Sequence, residues 1–572
     1  MTSVSSATSS TTGTATTSST ASSSSGTSVT TSGTSTTTSV DWDSLIASAV
    51  NAKLAAATTI STKITANEAK IAAYQTLQTN LSTLSSGLSS LATAVVNSLA
   101  TNVFATRAAT LSSTGDVSAS SALSMSVKNG AATGDHTLTI SQIATAHKVM
   151  SATQSSATDA LGTSGTISLG LAGGSSAAIS ITSSMSLQDV VDAVNAQSAT
   201  TNVEASIVQV SSGSYRMVLT ATQDAADIQY SSTSGDDVLN KLGFTDSSGS
   251  FANVLQTSQP AEFTLDGIAM TRDTNDISDV LTGVTFNLLQ ATPSGSAINI
   301  SIGTDTSQIT SALQTFVTNY NAYRDAVIAQ QATNSDGTAS DGAVLFGDST
   351  MRDITSRLEA ALNTTVGGLS MSAIGLSFNE KNELELDTST LSSILSTNLS
   401  GVTKLLSAQT TTSSSQLSVV NTGTSPQSFT LDLAVDSSGN LTGASVNGDA
   451  SLFTVSGTTI IGASGTAYAG MAFTYSGTTS QSISVTSTTG IASQIYQIAN
   501  STSSTSGSLQ TMISGLQSRD SDLQQKVDDI TAAAATYKSQ LQTQYANYQA
   551  AIASADNTLT YLKALLNASS SN

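Results

Sequence analysis

A heptad pattern of apolar residues occupies both ends of this chain, and it limits the folds that the chain can adopt. From Ile60 onward, apolar side chains recur at alternating spacings of four and three residues, with Asn67 as a polar member of the stripe. A second stripe runs from Leu509 to Leu566, and Asp520 is its one charged member. This spacing is typical of long helices that bury one face against another helix.

Each stripe requires a partner, because a single helix cannot bury its own apolar face. The prolines Pro260, Pro293 and Pro426 all lie in the middle of the chain, so both terminal stretches can be continuous helices. The obvious partner for each stripe is the other one. We therefore predict an α+β multidomain fold, in which the long terminal helices pair as a coiled-coil leg and β-rich head domains are inserted between them.

The residues predicted to form the coiled-coil or oligomer interface share this heptad register. They are Ile60, Ile64, Leu84, Leu88, Leu91, Leu523, Val527, Ile530, Leu559, Leu562 and Leu566. Within this set, we expect the last three leucines to pack with Ile60 and Ile64 in one seam near the chain ends. Candidates for the outer flank of the seam are Tyr545, Tyr548 and Tyr561, although aromatic stripes more often belong to a core.

The middle of the chain alternates apolar and polar residues at the period of β-strands. Residues 136–140, 203–210, 215–219 and 263–270 are predicted strands, and Asp266–Gly267 marks a tight turn within the last of them.

Helical patterns interrupt these strands. A short helix is predicted from Ser186, with Asp189 in a capping-box position and Val190, Val191 and Val194 on its inner face. Longer helices are predicted over 307–329 and 351–362.

These patterns predict a definite order of domains along the chain. The expected segments are a disordered Ser/Thr-rich leader (1–39), N-terminal leg helices (40–105), a β-rich head domain in two pieces (106–160 and 245–305), a second β-rich head domain with a short helix (161–244), a helical region that completes the head–leg junction (306–408), an inserted small β domain (409–490, opening with a Ser/Thr linker over 409–416) and a C-terminal coiled-coil leg helix (491–572).

Composition excludes several classes of function. The formal net charge is −20 and no cluster of Lys and Arg is present, so we expect no nucleic acid partner. No apolar run approaches the roughly 18 residues that a membrane span requires, so we expect no membrane insertion. The chain has no Cys, which excludes disulfides and thiolate metal sites.

No catalytic, cofactor-binding or metal-binding constellation is predicted. His136 and His147 are eleven residues apart, a spacing without meaning for a metal site, and we expect both to be ordinary surface histidines. Asp41 and Asp43 flank Trp42, and they are interpreted as the acidic start of a helix rather than a cation site. The sequence therefore predicts a protein that is not an enzyme.

The first 39 residues are almost entirely Ser, Thr, Ala, Gly and Val, so we expect them to be disordered. Two interpretations stay open for this segment: a flexible tail, or an unfolded leader for export. The first basic residue is Lys53, so the positive region of a common secretory signal peptide is missing.

The order of these pieces resembles the flagellar filament cap family, also called hook-associated protein 2. The most specific stretch is 261–286, in which a strand, an Asp-Gly turn, an Arg-x-x-Asn loop and a Gly-Val-Thr strand follow one another. The other matching stretches are Val40-Asp-Trp-Asp-Ser-Leu-Ile, Thr133-Gly-Asp-His-Thr-Leu-Thr-Ile-Ser-Gln-Ile-Ala, Phe316-Val-Thr-Asn-Tyr-Asn, Gly347-Asp-Ser-Thr-Met-Arg and Ile374-Gly-Leu-Ser-Phe. The resemblance spans about 40–408 and 490–567, and the β segment 417–488 departs from it as an insertion.

The resemblance implies a secreted, non-enzymatic protein at the distal tip of the bacterial flagellar filament. Its expected partners are flagellin, further copies of itself in a ring of roughly four to six subunits, and an export chaperone that binds the C-terminal helix. It would promote insertion and folding of exported flagellin and prevent its loss, without a cofactor.

Two other readings compete with this one. The first is another flagellar axial protein, such as a junction protein or a divergent flagellin, and the string 263–286 argues against it. The second is a secreted adhesin with a Ser/Thr-rich stalk, a class that usually carries a signal peptide or an anchor. Cell adhesion through the outer β domains could also coexist with capping.

Overall fold

The computed structural model describes residues 41–94, 99–423 and 428–569 of the chain. These residues divide into two compact units: the first contains residues 41–63 and 522–569, and the second contains the described residues of 64–521. The predicted leader (1–39) lies outside the described residues.

The described residues include ten α-helices, and the first and the last are much the longest. In chain order they are α1 (Trp42–Ala92), α2 (Ala119–Ala122), α3 (Leu187–Asn195), α4 (Ser198–Thr201), α5 (Val238–Lys241), α6 (Thr306–Gln330), α7 (Ser349–Leu362), α8 (Thr388–Leu406), α9 (Ile491–Ser503) and α10 (Ser508–Ser569).

The strands lie between the two long helices, as the fold-class prediction requires. In chain order they are β1 (Arg107–Thr114), β2 (Leu123–Val127), β3 (Gly134–Gln142), β4 (Ala146–Met150), β5 (Gly165–Leu171), β6 (Ser176–Ile181), β7 (Val203–Ser211), β8 (Ser214–Asp224), β9 (Ile228–Gly235), β10 (Val254–Gln256), β11 (Ala261–Leu265), β12 (Ile268–Arg272), β13 (Asp276–Ile277), β14 (Val284–Leu288), β15 (Ala297–Thr304), β16 (Leu376–Phe378), β17 (Leu384–Leu386), β18 (Gln409–Thr412), β19 (Leu417–Thr422), β20 (Phe429–Val435), β21 (Leu441–Ser445), β22 (Phe453–Ser456), β23 (Thr459–Gly462), β24 (Met471–Tyr475) and β25 (Gln481–Thr488).

Helix α1 is one continuous helix with a side-chain cap at its start. The Ser44 N–H donates to Asp41 Oδ1 over 3.1 Å, and Asp43 lies in the first turn, so the interpretation of these acidic residues as a helix start is confirmed. The helix ends at Ala92, and residues 99–105 form turns, so the expectation of leg helices up to residue 105 is wrong at its C-terminal end. Asn102 accounts for this, because its buried amide donates to the Thr93 carbonyl and accepts the Phe104 N–H, which favours a turn.

The second unit contains a helical core built from the C-terminal part of α1, helices α6 to α9, the first turns of α10 and the β16–β17 hairpin. Gly87 permits a close approach between α1 and α6, because a Cβ there would lie 2.5 Å from Asn319 Nδ2. Ile309, Leu313 and Phe316 of α6, the helix predicted over 307–329, are fully buried in this core.

The first sheet lobe comprises β1–β3 and β11–β15. A five-stranded antiparallel sheet, ordered β1-β15-β3-β11-β12, shares a core with the three-stranded sheet β13-β14-β2. Leu138 and Ile140 point into this core from β3, as alternation along a half-buried strand dictates. The predicted Asp266–Gly267 turn is confirmed, and both residues adopt positive φ angles, of +51° and +80°.

The second sheet lobe comprises β4–β10 with α3–α5. Sheets β10-β4-β8-β7 and β6-β5-β9 enclose its core together with α3. Ser186 and Asp189 form the predicted capping box, and the three predicted valines of α3 are buried. The expected boundaries at 160 and 245 are wrong, because β4 and β10 belong to this lobe rather than to the first. Alternation alone does not tell which of two neighbouring sheets a short strand joins.

The inserted module, 409–490, is a sandwich of the sheets β18-β25-β20-β21 and β19-β24-β23-β22 with a core of its own. Residues 409–412 were expected to be linker, but they form strand β18, in which Gln409 pairs with Thr488 of β25. Thr is a good strand former, and a hydrogen bond of 2.9 Å between the hydroxyls of Thr410 and Ser487 adds to the backbone pairing of the two strands. The chain therefore enters and leaves the module on adjacent strands.

The C-terminal segment is two helices rather than the single helix expected over 491–572. Helix α9 packs in the helical core, and residues 504–507 form a non-helical connection before α10 begins. A Cβ at Gly507 would lie 2.3 Å from the Thr502 carbonyl oxygen, so the tight connection between the helices depends on glycine here.

His147 is buried in β4, so the expectation that it is an ordinary surface histidine is wrong. Its Nδ1 accepts the Ile228 N–H over 3.0 Å, its ring meets Phe251 edge-on, and Asp227 Oδ1 lies 3.7 Å away. Burial lowers the pKa of His147 below its ordinary value, and the charge of Asp227 offsets part of that effect. In its neutral form, His147 therefore connects β4 to the start of β9 through the hydrogen bond from the Ile228 N–H.

Acid should weaken this lobe through His147. Because the folded pKa is depressed, the unfolded chain binds more protons, and the stability contributed by His147 declines as the pH falls below the ordinary value of 6.5. We expect the urea midpoint of the lobe to fall between about pH 7 and about pH 5.5. His147→Gln, whose amide oxygen can still accept the Ile228 N–H, should flatten this decline, whereas the control His136→Gln should retain it. An identical decline in His147→Gln would contradict the assignment.

Candidate assembly surfaces on the terminal helices

In the first unit, the start of α1 packs against the middle of α10. The rings of Trp42 and Tyr545 lie 4.7 Å apart between centroids, and Lys53 Nζ lies 5.2 Å from the centre of the Tyr537 ring. Moving forward along α1 therefore corresponds to moving backward along α10, so the two helices are antiparallel. The side chains buried in this unit are Ile46, Ala57, Ala534 and Leu541.

The two helices are also antiparallel in the second unit, where polar side chains meet across the seam. Asn67 Nδ2 donates to Asp520 Oδ1 over 2.6 Å, and Gln78 Nε2 donates to Gln510 Oε1 over 3.3 Å and to the Ser503 carbonyl over 3.1 Å. The sequence marked Asn67 and Asp520 as polar members of the two stripes, and the structure pairs them. Asp520 Oδ2 is buried without a hydrogen-bond partner, so this pair is only partly satisfied.

Tyr74 connects α1 to the start of α7, a contact that periodicity could not indicate. Its hydroxyl donates to Asp348 Oδ2 over 2.7 Å, while Asp348 Oδ1 accepts the Met351 N–H as the cap of α7. Burial, the hydrogen bond to Asp348 and its negative charge all raise the pKa of Tyr74, so the phenol remains a donor.

The predicted interface residues fall into three groups. Leu84, Leu88 and Leu91 are fully buried, but they lie in the helical core. Helix α10 begins opposite Gln78, which contacts Gln510 in its first turn, so these three leucines of α1 lie past the start of α10. The half-buried group is Ile60, Ile64, Leu523, Val527 and Ile530. The exposed group is Leu559, Leu562 and Leu566.

The predicted seam between the exposed group and Ile60 and Ile64 is wrong. Tyr545 already lies against Trp42, the first residue of α1, so residues 546–569 run past the start of that helix. A heptad period is the same in every register, so periodicity predicted the faces but not which turns would meet. Tyr545, a candidate for the outer flank, instead packs in the pair.

An exposed apolar stripe follows on the last part of α10, here called the terminal stripe. Every residue of 546–569 is exposed, over roughly 36 Å of helix at 1.5 Å per residue. The members of the stripe are Tyr548 (49% exposed), Ile552 (53%), Leu559 (51%), Leu562 (51%) and Leu566 (66%). The segment carries only Asp556 and Lys563 as charged residues, in a chain of net charge −20. Apolar side chains exposed over such a length are typical of interaction sites.

The described part of the chain holds no group of three or more His, Asp or Glu placed to bind a metal ion. Within the same residues, no helix is long and apolar enough to cross a lipid bilayer. What the site offers chemically is a helical apolar face that can be covered by another helix.

Sequence comparison identifies the family of this protein. The profile of the flagellar hook-associated protein 2 C-terminus matches residues 258–557, and that of the N-terminus matches residues 38–147. A flagellin hook IN motif matches residues 166–223, within the second sheet lobe. The chain belongs to the flagellar hook-associated protein 2 family, the filament cap proteins.

The chain is similar to individual cap proteins and to a solved structure. The chain is 29% identical over 386 residues to flagellar hook-associated protein 2 of Escherichia coli K12, an alignment that covers 64% of this chain and 78% of that protein. It is 25% identical over 398 residues to the B-type flagellar hook-associated protein 2 of Pseudomonas aeruginosa, an alignment that covers 65% of this chain and 80% of that protein. The crystal structure of the Escherichia coli cap protein D1-D2-D3 domains aligns with a TM-score of 0.48 at 21% identity, covering 78% of this chain and 99% of that one.

The Asn67–Asp520 pair should set helix register at a cost in stability. Asn67→Leu leaves the Asp520 carboxylate without its partner, and we expect a loss of about 1–3 kcal/mol in the free energy of unfolding. Replacing both residues by Leu should recover that loss, because an apolar pair needs no hydrogen bond. Urea denaturation of Asn67→Leu, of Asp520→Leu and of the double variant measures the coupling energy between the two side chains. A double variant no more stable than Asn67→Leu would refute this account.

Proposed function

We propose that this protein caps the flagellar filament at its distal tip, where it promotes insertion and folding of exported flagellin and prevents its loss. The observation that carries the proposal is the family match over 258–557, more than half of the chain. The protein is secreted to reach that position, and it works without catalysis or a cofactor. Its work consists of binding, release and movement of subunits.

The terminal stripe supplies the contact surface for this role. Its apolar members face solvent, so they are available to neighbouring copies or to flagellin without unfolding the α1–α10 pair. We propose that copies of the chain form a ring of roughly four to six subunits. Before export, the same stripe suits an apolar groove of a chaperone, since a helix-in-groove contact reads residues spaced by three and four.

The function is tested by substituting two leucines of the terminal stripe with alanine. Leu559→Ala/Leu562→Ala should leave the melting temperature within about 1 °C of the parent, because exposed side chains contribute little to the fold. In cells that carry this variant in place of the parent, flagellin should accumulate in the medium and filaments should shorten. The measurements are thermal unfolding, export of the variant itself and immunoblotting of the culture supernatant.

The matched control removes two exposed apolar residues from the inserted module, Val420→Ala/Ile461→Ala. We expect this control to retain capping. A stripe variant that is exported, folds and still retains flagellin on the filament would refute the role of the stripe. Release of flagellin when the whole gene is deleted tests capping itself, so the two failures are distinguishable.

The state of the purified protein separates the remaining alternatives. Small closed rings in mass photometry support a cap, whereas long polymers would favour another axial protein. If deletion of the gene leaves flagellin on the cells but abolishes attachment to a surface, the adhesin alternative replaces the cap.

A further inference from the structure

The sequence contains two Asn-Gly dipeptides, Asn129–Gly130 and Asn447–Gly448. Asn-Gly is the dipeptide best suited to deamidation, because glycine has no Cβ to hinder attack by its backbone nitrogen on the preceding amide carbon. The reaction requires that the Gly N–H and the Asn side chain be free to move toward each other. The two sites differ in this respect.

Asn447 and Gly448 form the two-residue turn between Val446 and Asp449 of the inserted module. Their φ angles are +53° and +83°, and both residues are exposed. The turn is closed by bonds between Val446 and Asp449, of 3.0 and 3.3 Å, which do not involve either central residue. Among the described residues, none bonds to the Asn447 amide or the Gly448 N–H. A Cβ at Gly448 would meet no atom within 4 Å, so the space around it is open.

Asn129 and Gly130 are also exposed, but both reacting groups are bonded. Asn129 Nδ2 donates to the Ala100 carbonyl over 2.9 Å, and the Gly130 N–H donates to the Ala105 carbonyl over 2.7 Å. Both bonds must break before the Gly130 nitrogen can reach the side-chain carbon. The same dipeptide is therefore unrestrained in the inserted module and restrained in the first sheet lobe.

We propose that Asn447 is a site of spontaneous self-modification, at which the folded protein converts asparagine to aspartate and isoaspartate. The Gly448 nitrogen attacks Cγ of Asn447 and forms the new C–N bond of a succinimide. The bond between Cγ and Nδ2 breaks, and ammonia leaves with the proton lost from Gly448. Solvent water then opens the ring at either carbonyl, which gives aspartate or isoaspartate without any oxidant or cofactor.

The product changes the module in charge and in backbone geometry. Residues 409–490 contain no Lys, Arg or His, and their charged residues are Asp432, Asp436 and Asp449. A new carboxylate at 447 would lie two residues from Asp449, whose side chain accepts the Ser451 N–H over 2.9 Å. Isoaspartate also adds one carbon to the main chain of the turn that Val446 and Asp449 close. This inference does not depend on the capping function.

Mass spectrometry of the intact, folded protein tests the site. The full chain is incubated in mildly alkaline buffer, then digested with pepsin in acid, which suppresses further reaction, and the peptides that contain 447 and 129 are followed together. We expect Asn447 to convert at least roughly tenfold faster than Asn129, since bonds of ordinary strength must break at the second site. In urea the two rates should become similar, because both sites then react as an unfolded Asn-Gly dipeptide, and their neighbours (Lys128 and Ala131, Val446 and Asp449) have a smaller effect than the glycine.

Two variants make the result specific. Asn447→Gln should abolish the conversion at 447 and leave that at 129 unchanged, and Asn447→Asp provides the product standard. Folded protein in which Asn447 converts no faster than Asn129 would overturn the inference. A tenfold rate difference that persists in urea would also overturn it, because the difference would then come from the flanking residues rather than from the turn.

Discussion

Burial of one apolar face on each terminal helix is the constraint on which the rest of the structure depends. Helices of this length are not stable alone in water when one side is apolar, and α1 and α10 satisfy each other by packing antiparallel in both units. The pairing is not apolar throughout, because Asn67 and Asp520 meet within the seam. A polar pair of this kind weakens a seam but penalises a shift of register, in which each partner would face an apolar side chain.

The terminal stripe lies beyond the turns of α10 that pack against the described residues of α1. The terminal stripe continues the heptad rhythm of the paired region, yet its side chains lie in water. A stripe that only stabilised the fold would have no reason to extend past Trp42, the first residue of α1. Apolar spacing retained over an exposed stretch indicates a contact with another helix or another chain. The seam and the terminal stripe are thus one sequence pattern, which is packed in one part of α10 and exposed in the other.

The sequence predicted the elements whose signal is local, and failed where the answer depends on distant residues. The capping box of Ser186 and Asp189 and the turn at Asp266 are set by a few neighbours, so they could be read directly. The register of α1 against α10 could not be predicted, because sliding one helix past the other by a whole heptad leaves the apolar spacing unchanged. His147 was misplaced for a related reason: its burial comes from Phe251 and Ile228, which are far from it in sequence. Strand β18 was hidden by a Ser/Thr composition that is typical of linkers.

The β-rich regions share one rule of insertion, which explains how so much sheet can be added between two helices. The first sheet lobe leaves and rejoins the helical core on β1 and β15, where Arg107 pairs with Thr304. The second lobe joins the first through bonds between Thr145 and Gln259, and the inserted module joins the core through β18 and β25. Because each insertion closes with its ends side by side, the host core needs only a short connection, and the added chain folds around its own apolar cluster. The inserted module can therefore differ from the family pattern without disturbing the seam, since none of its described residues, 409–423 and 428–490, belongs to the core that α1 and α10 share.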